Sequence, residues 1–342
     1  MKKIAVAGIG AMGCIIGGNL TKGGKDVVLI EPFWREHAEV MNKDGITFIS
    51  PEGEEKIKVK VLLINELSIL KEKIDILFIS VKSNHTKEVL TQIKPFLSED
   101  AWVISLQNGI NEEVLIPIVG KENTVVCISY TGGQLLKPGH VTSHEGKFII
   151  GELDGQTTPR IKELARILSL VKPVEISPNV MLERWIKLSQ ATMSVPVSAI
   201  SGLGLGEVFQ NGKTQRLLAR IIMEAIRVAH ASGYTIEDVI GVKKGDWEKL
   251  ATGPMPEISK IVAEEGDHFP SNATDPITND IKKGQPLEID YTNGYVIAKG
   301  KELGVPTPLN ELVLNRIKAI ESRDIKPGLN RVEELLEATN YR

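Results

Sequence analysis

The sequence of 342 residues has only two cysteines, Cys14 and Cys127. Two thiols in a chain of this length do not make a disulfide framework, which favours a reducing compartment. The chain also lacks any run of about 18 apolar residues, so we expect no membrane span. Glycine breaks the short apolar run after the initial Met-Lys-Lys, unlike the apolar region of a signal peptide. A cytoplasmic location is therefore expected.

An excess of one charge is also missing. The chain has 41 Lys and Arg against 44 Asp and Glu, with a net charge of -3. No basic excess points to nucleic acid or to an anionic membrane surface, so a small molecule is the expected partner. The six histidines contain no pair at helical metal-site spacing, since His140 and His144 lie in a segment that resembles a hairpin. No metal is expected.

The first half of the chain alternates between apolar strand-like runs and helical stretches. Strands are predicted over 3–7, 26–32, 74–82, 101–109 and 123–130, with a helix over 11–22 and a hairpin or sheet edge over 140–152. This alternation favours an α/β domain with a doubly wound, mainly parallel sheet.

The character of the sequence changes near residue 176, where strand-like runs stop. Ser177 and Pro178 are typical of a helix N-cap and first helical position. Amphipathic helices are predicted over 214–233 and 308–321. We therefore predict a dinucleotide-binding domain over 1–175 and an all-helical domain over 176–342.

The stretch "KIAVAGIGAMGCIIGG" places Gly8, Gly10 and Gly13 between the first strand and the first helix. A lone G-x-G-x-x-G is a weak signal, but this strand–turn–helix context favours a pyrophosphate-binding turn. The helix N-terminus, which includes Ala11 and Met12, offers N–H groups to the anion.

Glu31 ends the second strand, 18 residues after Gly13. An acid there accepts hydrogen bonds from the adenosine ribose and repels a 2′-phosphate, which favours NAD over NADP. The alternative is that Glu31 is only a solvated strand end and that Arg35 binds a 2′-phosphate.

Three more polar stretches follow predicted strands: "VKSNH" (81–85), "LQNGI" (106–110) and "PGHVTSHEGKFIIGE" (138–152). Ligands bind at the carboxyl edge of an open α/β sheet. Considered one at a time, these stretches do not require a ligand. Lys82 is then interpreted as a surface lysine, and Asn108-Gly109 as an ordinary turn.

Taken together, these stretches resemble the ketopantoate reductase family. The resemblance runs in order to about residue 322 and is carried by "GIGAMG", "VKS", "LQNG", "PGHV", "GKFIIGE", "ERWIKL" and "LEIDYTNGYVIAKGKELGVPTP". It implies a Rossmann domain and a helical domain of the 6-phosphogluconate dehydrogenase-like kind, with the active site in the cleft between them. A homodimer is also expected, as in many members.

The resemblance implies roles for four residues. Lys187 matches the catalytic lysine, and Glu288 matches the acid that contacts the substrate and positions that lysine. Asn108 matches the asparagine beside the nicotinamide, where it serves both cofactor and substrate, and Lys82 matches a lysine near the cofactor. From the residues alone, Lys187 also fits a snorkelling lysine and Glu288 a helix N-terminal acid.

The chain departs from the family at several site positions. Ala191 and Val195 stand where the family has asparagines of the substrate site. The family serine that binds the substrate carboxylate falls on Pro276, preceded by Asp275, and Ser271, Thr274 or Thr278 could compensate. Pro32 stands where the family has an arginine for the 2′-phosphate of NADP.

These departures predict that the hydride chemistry is kept while the substrate differs from ketopantoate, because a changed set of polar groups changes the preferred substrate. An NAD-dependent enzyme acting on another 2-keto or 2-hydroxy acid is expected, with a 3-keto acid as an alternative substrate and NADP as the alternative cofactor. An opine-like reductive amination and a non-catalytic dinucleotide sensor stay open.

Overall fold

The computed structural model describes residues 1–269 and 275–339. The chain divides into two compact units. The first consists of Met1–Gln107 and Asn111–Glu183, and the second of Asn108–Ile110 and the chain from Arg184 onwards.

The first unit alternates strands and helices. Its strands are β1 (Lys3–Ala7), β2 (Asp26–Glu31), β3 (Ile46–Ser50), β4 (Gly53–Ile57), β5 (Val61–Leu63), β6 (Ile74–Ile79), β7 (Leu97–Ser105), β8 (Thr124–Ser129), β9 (Leu135–Lys137), β10 (His140–Thr142), β11 (Phe148–Gly151) and β12 (Val174–Ile176). Its helices are α1 (Ala11–Lys22), α2 (Arg35–Asp44), α3 (Thr86–Ile93), α4 (Glu112–Val119) and α5 (Pro159–Leu168).

Eight of these strands form the main sheet, in the order β12-β11-β8-β7-β6-β1-β2-β5. Neighbouring strands are parallel except β11, which is antiparallel to β8. Alternate residues of β1 enter different cores, since Ile4 and Val6 pack on one face and Ala5 and Ala7 on the other. Apolar residues on both faces explain why this strand is a continuous apolar run. The predicted doubly wound sheet is confirmed.

The prediction of a hairpin or sheet edge over 140–152 is wrong, because neither β10 nor β11 is an edge strand. β10 pairs with β3 and β9 in a separate four-stranded sheet, whereas β11 joins the main sheet. The burial pattern gives the reason. Only the middle residue of β10 is buried, as in a half-exposed strand, while all four residues of β11 are buried.

Among the described residues, the second unit is helical apart from a short hairpin, β13 (Asp238–Val239) and β14 (Val242–Lys243). The prediction of an all-helical domain did not include this hairpin. Its helices are α6 (Val180–Ser201), α7 (Glu207–Gln210), α8 (Gly212–Ala231), α9 (Lys244–Thr252), α10 (Pro256–Gly266), α11 (Pro276–Lys283), α12 (Asn293–Leu303), α13 (Pro308–Glu321) and α14 (Leu329–Ala338).

Helix α6 begins in the first unit, where Val180 packs with Val126, Ile128 and Ile149. The first unit therefore extends to Glu183, beyond the predicted boundary at residue 175.

The start of α6 also lies later than predicted. Ser177 Oγ accepts the Asn179 N–H at 3.1 Å, and Asn179 Oδ1 accepts the Leu182 N–H at 3.4 Å. Asn179 therefore supplies the N-terminal cap that was predicted for Ser177, and α6 begins at Val180.

A buried carboxylate joins four helices of the second unit. Glu224 of α8 accepts the Leu309 N–H through Oε1 at 3.0 Å and the Asn310 N–H through Oε2 at 2.9 Å, at the start of α13. Asn310 Nδ2 donates to the same Oε2. Asn293 of α12 then donates to Asn310 Oδ1 and to the Thr192 carbonyl of α6. Burial raises the pKa of Glu224, against these hydrogen bonds. The helix N-terminus offsets part of the cost of burying the charge.

We expect Glu224→Ala to lower the free energy of unfolding by about 3 kcal/mol, because buried N–H groups at the start of α13 lose their acceptor. Glu224→Gln should cost less, since the amide keeps one accepting oxygen. Urea unfolding of both variants measures this. Glu321→Ala, at an exposed acid of α13, is the control, and an equal loss in that variant would contradict the assignment.

Candidate functional site

The glycine turn of the first unit is set by two close approaches. Gly8 has φ +86°, and a Cβ there would lie 2.5 Å from the Val81 nitrogen. A Cβ at Gly13 would lie 2.0 Å from the Gly8 carbonyl oxygen. At Gly10, by contrast, no atom lies within 4 Å of the Cβ position. Packing therefore requires Gly8 and Gly13, while Gly10 lies beside open space.

Helix α1 starts directly at this open space. Gly10 is its N-cap and supplies no side-chain acceptor. The first N–H groups of a helix have no partner within the helix, and these belong to Ala11, Met12 and Gly13. The helix dipole adds positive potential at the same end, so the turn is suited to a phosphate group.

Glu31 lies at the end of β2, beside the glycine turn, because β2 pairs with β1 in parallel. The side chain is buried, and its Oε1 accepts the N–H groups of Phe33 and Trp34 at 2.9 and 3.0 Å. The acid predicted to bind the ribose therefore also stabilises the turn formed by the residues that follow it. Arg35 is exposed and lies 3.9 Å from Glu39.

A buried polar network joins the ends of β6 and β7. Gln107 Nε2 donates to the Val81 carbonyl and to Thr86 Oγ1, both at 2.7 Å, and Oε1 accepts from Ser105. Thr86 in turn donates to the Ser83 carbonyl at 2.9 Å. Gln107 therefore fixes the loop that carries the half-buried Lys82.

Neither Gln107 nor Thr86 is among the residues predicted for the site. Their positions in the sequence could have indicated the contact. Gln107 follows the end of β7 and Thr86 follows the polar stretch after β6, and β6 and β7 are neighbouring strands.

Helix α6 carries the predicted catalytic lysine of the second unit. Lys187, Ala191 and Val195 are four residues apart and all partly exposed, whereas Leu188 and Thr192 between them are buried. This spacing places the three on one face of the helix. Burial lowers the pKa of Lys187 from 10.5 to about 8. An ammonium with this pKa is charged at pH 7 and releases its proton more readily than an ordinary lysine.

Glu288 is half-buried and immediately precedes the single turn of 3-10 helix Ile289–Tyr291. Burial, followed by the charges of Asp290 and Glu288, raises the pKa of Tyr291. The second unit also contains Asn108–Ile110, and a Cβ at Gly109 would lie 2.4 Å from the Tyr291 carbonyl oxygen. The exposed Asn108 is thus held next to the turn that follows Glu288.

Asp275 has a structural role at the start of α11. It is buried and caps this helix by accepting the Thr278 N–H at 2.7 Å, and its second oxygen lies 3.1 Å from Ser198 Oγ. Pro276 is exposed as the first residue of α11. Their proposed substrate contacts stay predictions. Ser271 and Thr274 lie outside the described residues.

Within residues 1–269 and 275–339, no group of three or more His, Cys, Asp and Glu side chains is placed to hold a metal ion. In the same part of the chain, no helix combines the length and apolar character needed to cross a membrane.

Two family models cover most of the chain. Residues 4–155 match the family described as ketopantoate reductase PanE/ApbA, and residues 179–321 match the C-terminal domain of that family. A 2-dehydropantoate 2-reductase of Aquifex aeolicus (strain VF5) is 27% identical over 333 residues, covering 95% of this chain and 98% of the relative.

Solved structures share the fold. A D-mandelate dehydrogenase, solved with NADH and anilino(oxo)acetate, superposes with a TM-score of 0.79 at 24% identity, covering 94% of this chain and 99% of that one. A PanE/ApbA family ketopantoate reductase from Ralstonia eutropha JMP134 gives 0.77 at 26% identity, with the same coverage. The chain belongs to the ketopantoate reductase family of NAD(P)-dependent oxidoreductases.

Proposed function

We propose that this protein transfers a hydride between NAD(H) and a 2-oxo or 2-hydroxy acid that is less polar than ketopantoate, with Lys187 as proton donor and acceptor. The observation that carries the proposal is the partly exposed face of α6, where Lys187 lies four and eight residues before Ala191 and Val195. The D-mandelate dehydrogenase that shares this fold was solved with NADH and anilino(oxo)acetate, an oxo acid with a phenyl ring.

The proposed chemistry needs a proton as well as a hydride. A nicotinamide dinucleotide held by the glycine turn and Glu31 would supply the hydride for the carbonyl carbon of the substrate. The carbonyl oxygen then becomes an alkoxide, and the Lys187 ammonium stabilises its charge and donates a proton from Nζ. Glu288 has the role that the family resemblance implies: it accepts a hydrogen bond from the substrate and positions Lys187. In the oxidative direction, neutral Lys187 accepts the proton.

Selectivity for NAD rests on Glu31 and Pro32. Oε1 of Glu31 is used by the turn, so Oε2 is the oxygen for the ribose hydroxyl, and the carboxylate repels a 2′-phosphate. Pro32 supplies no cation. The homodimer and the cytoplasmic location remain predictions.

We expect the protein to bind NADH more tightly than NADPH. In Glu31→Gln the difference between the two dissociation constants should become smaller, mainly because NADPH binds more tightly. The variant removes the charge but keeps an oxygen that accepts hydrogen bonds. Calorimetric titration with both dinucleotides measures this. Glu36→Gln, at an exposed acid of α2, is the control. A preference for NADPH that is lost in Arg35→Gln would instead assign the 2′-phosphate to Arg35.

Lys187→Ala should lower kcat by about 10²–10⁴-fold with dinucleotide binding retained, since the proton donor is lost. In the wild type, the rate of reduction should fall above pH 8 and the rate of oxidation should rise through pH 8, following the lowered pKa of Lys187. Steady-state rates from pH 6 to 10 in both directions measure this. Lys249→Ala, at an exposed lysine of α9, should change neither profile. Unchanged turnover in Lys187→Ala would refute the catalytic role.

The substrate prediction is tested by restoring the family pattern. Ala191→Asn with Val195→Asn should raise kcat/KM for ketopantoate and lower it for 2-oxo acids with apolar side chains, by about tenfold or more, since buried polar groups discriminate strongly. Rates with a panel of 2-oxo acids measure the ratio. Ala191→Ser alone is the conservative control. Rapid turnover of ketopantoate by the unmodified protein would show that the substitutions are compensated.

A further inference from the structure

A buried histidine of α2 is hydrogen-bonded to the backbone of the glycine turn. His37 lies on α2 with no exposed surface, and its Nε2 is 2.8 Å from the carbonyl oxygen of Ile9, the residue between Gly8 and Gly10. The Cys14 thiol donates to the same oxygen at 3.2 Å. A thiol is a weak donor, so the imidazole is the main hydrogen bond to this carbonyl.

The contacts determine the tautomer of His37. A carbonyl oxygen only accepts hydrogen bonds, so Nε2 carries the proton in the bond to Ile9. Burial lowers the pKa of His37, and the ring is therefore neutral at pH 7. Among the described residues, Nδ1 has no hydrogen-bond partner.

This hydrogen bond fixes a peptide plane. In a trans peptide the C=O and the following N–H point in opposite directions. Since the Ile9 carbonyl points to His37, the Gly10 N–H points away from it. Gly10 is exposed, with no atom within 4 Å of its Cβ position. The orientation of this N–H at the start of α1 is thus set by a side chain of α2.

A second contact joins His37 to the turn after β2. The Trp34 ring stacks on the imidazole with a centroid distance of 4.7 Å and an interplanar angle of 13°. The backbone N–H of Trp34 is held by Glu31 Oε1 at 3.0 Å. One continuous set of contacts therefore runs from Glu31 through Trp34 and His37 to Ile9.

We infer that His37 is a positioning residue for the dinucleotide, orienting the Gly10 N–H toward the pyrophosphate and coupling that turn to the Glu31 turn. This inference rests on the proposed use of the glycine turn and of Glu31 by the cofactor. His37 itself does not contact the dinucleotide in this role, because it is buried beneath both turns.

The test compares two substitutions. His37→Leu keeps a similar volume and removes the donor, whereas His37→Gln places an amide N–H where Nε2–H was. We expect amide hydrogen exchange in residues 8–14 of the free protein to be about tenfold faster in His37→Leu, because a buried hydrogen bond is lost, and near wild type in His37→Gln. The dissociation constant for NADH should rise in parallel, with the same rescue.

The matched control is Asn42→Leu, on the same helix, which breaks two 2.9 Å hydrogen bonds to the Val61 backbone away from the turn. Its exchange in residues 8–14 and its NADH affinity should match the wild type. If His37→Leu does not fold, His37→Asn, whose side chain is too short to reach Ile9, gives the same comparison.

Unchanged exchange in residues 8–14 of His37→Leu would overturn the inference whatever the protein binds. Faster exchange with an unchanged NADH affinity would also overturn it, because the hydrogen bond would then be only structural. Failure of the wild type to bind either dinucleotide would refute the proposed function and with it the ligand assigned to the turn. The two measurements therefore distinguish a failure of the inference about His37 from a failure of the proposed function.

Discussion

The close approach of α1 to the end of β1 is the constraint on which the proposed cofactor site depends. A Cβ at Gly13 would lie only 2.0 Å from the Gly8 carbonyl oxygen, so no side chain fits between helix and turn. The helix begins directly against the end of β1, and Glu31 ends the neighbouring strand β2. Because β1 and β2 are parallel, the proposed phosphate-binding turn and the proposed ribose-binding acid come to one edge of the sheet. A side chain at Gly13 would push the helix away from this edge.

Features that depend on local pattern could be predicted from the sequence, and features that depend on distant partners could not. Strands such as β1 are continuous apolar runs ended by glycine, and α13 was predicted over 308–321 as observed. The pairing of β10 with β3 could not be predicted, because two three- to five-residue segments far apart in sequence carry no signal for each other. The same holds for His37, whose role depends on α2 folding back over Ile9.

Two charged residues of the helical unit, Glu224 and Lys187, have pKa values that are shifted by burial in different surroundings. Glu224 accepts three hydrogen bonds from the start of α13, and these contacts favour the charge that burial disfavours. For Lys187, burial is the effect that moves the pKa. Hydrogen bonds that favour a buried carboxylate suit a residue that joins helices, whereas a lowered lysine pKa suits a group that gives up a proton. These properties agree with a structural role for Glu224 and with the proposed role of Lys187 as proton donor.

The proposed proton donor and the proposed determinants of substrate preference share one face of α6. Lys187, Ala191 and Val195 are four residues apart and partly exposed, so their side chains project from the same side of the helix. Burial lowers the pKa of Lys187 to about 8. Methyl and isopropyl groups bring fewer polar atoms to this face than asparagine side chains would. In the proposed function, the face that selects the oxo acid is therefore also the face that carries the group that donates the proton.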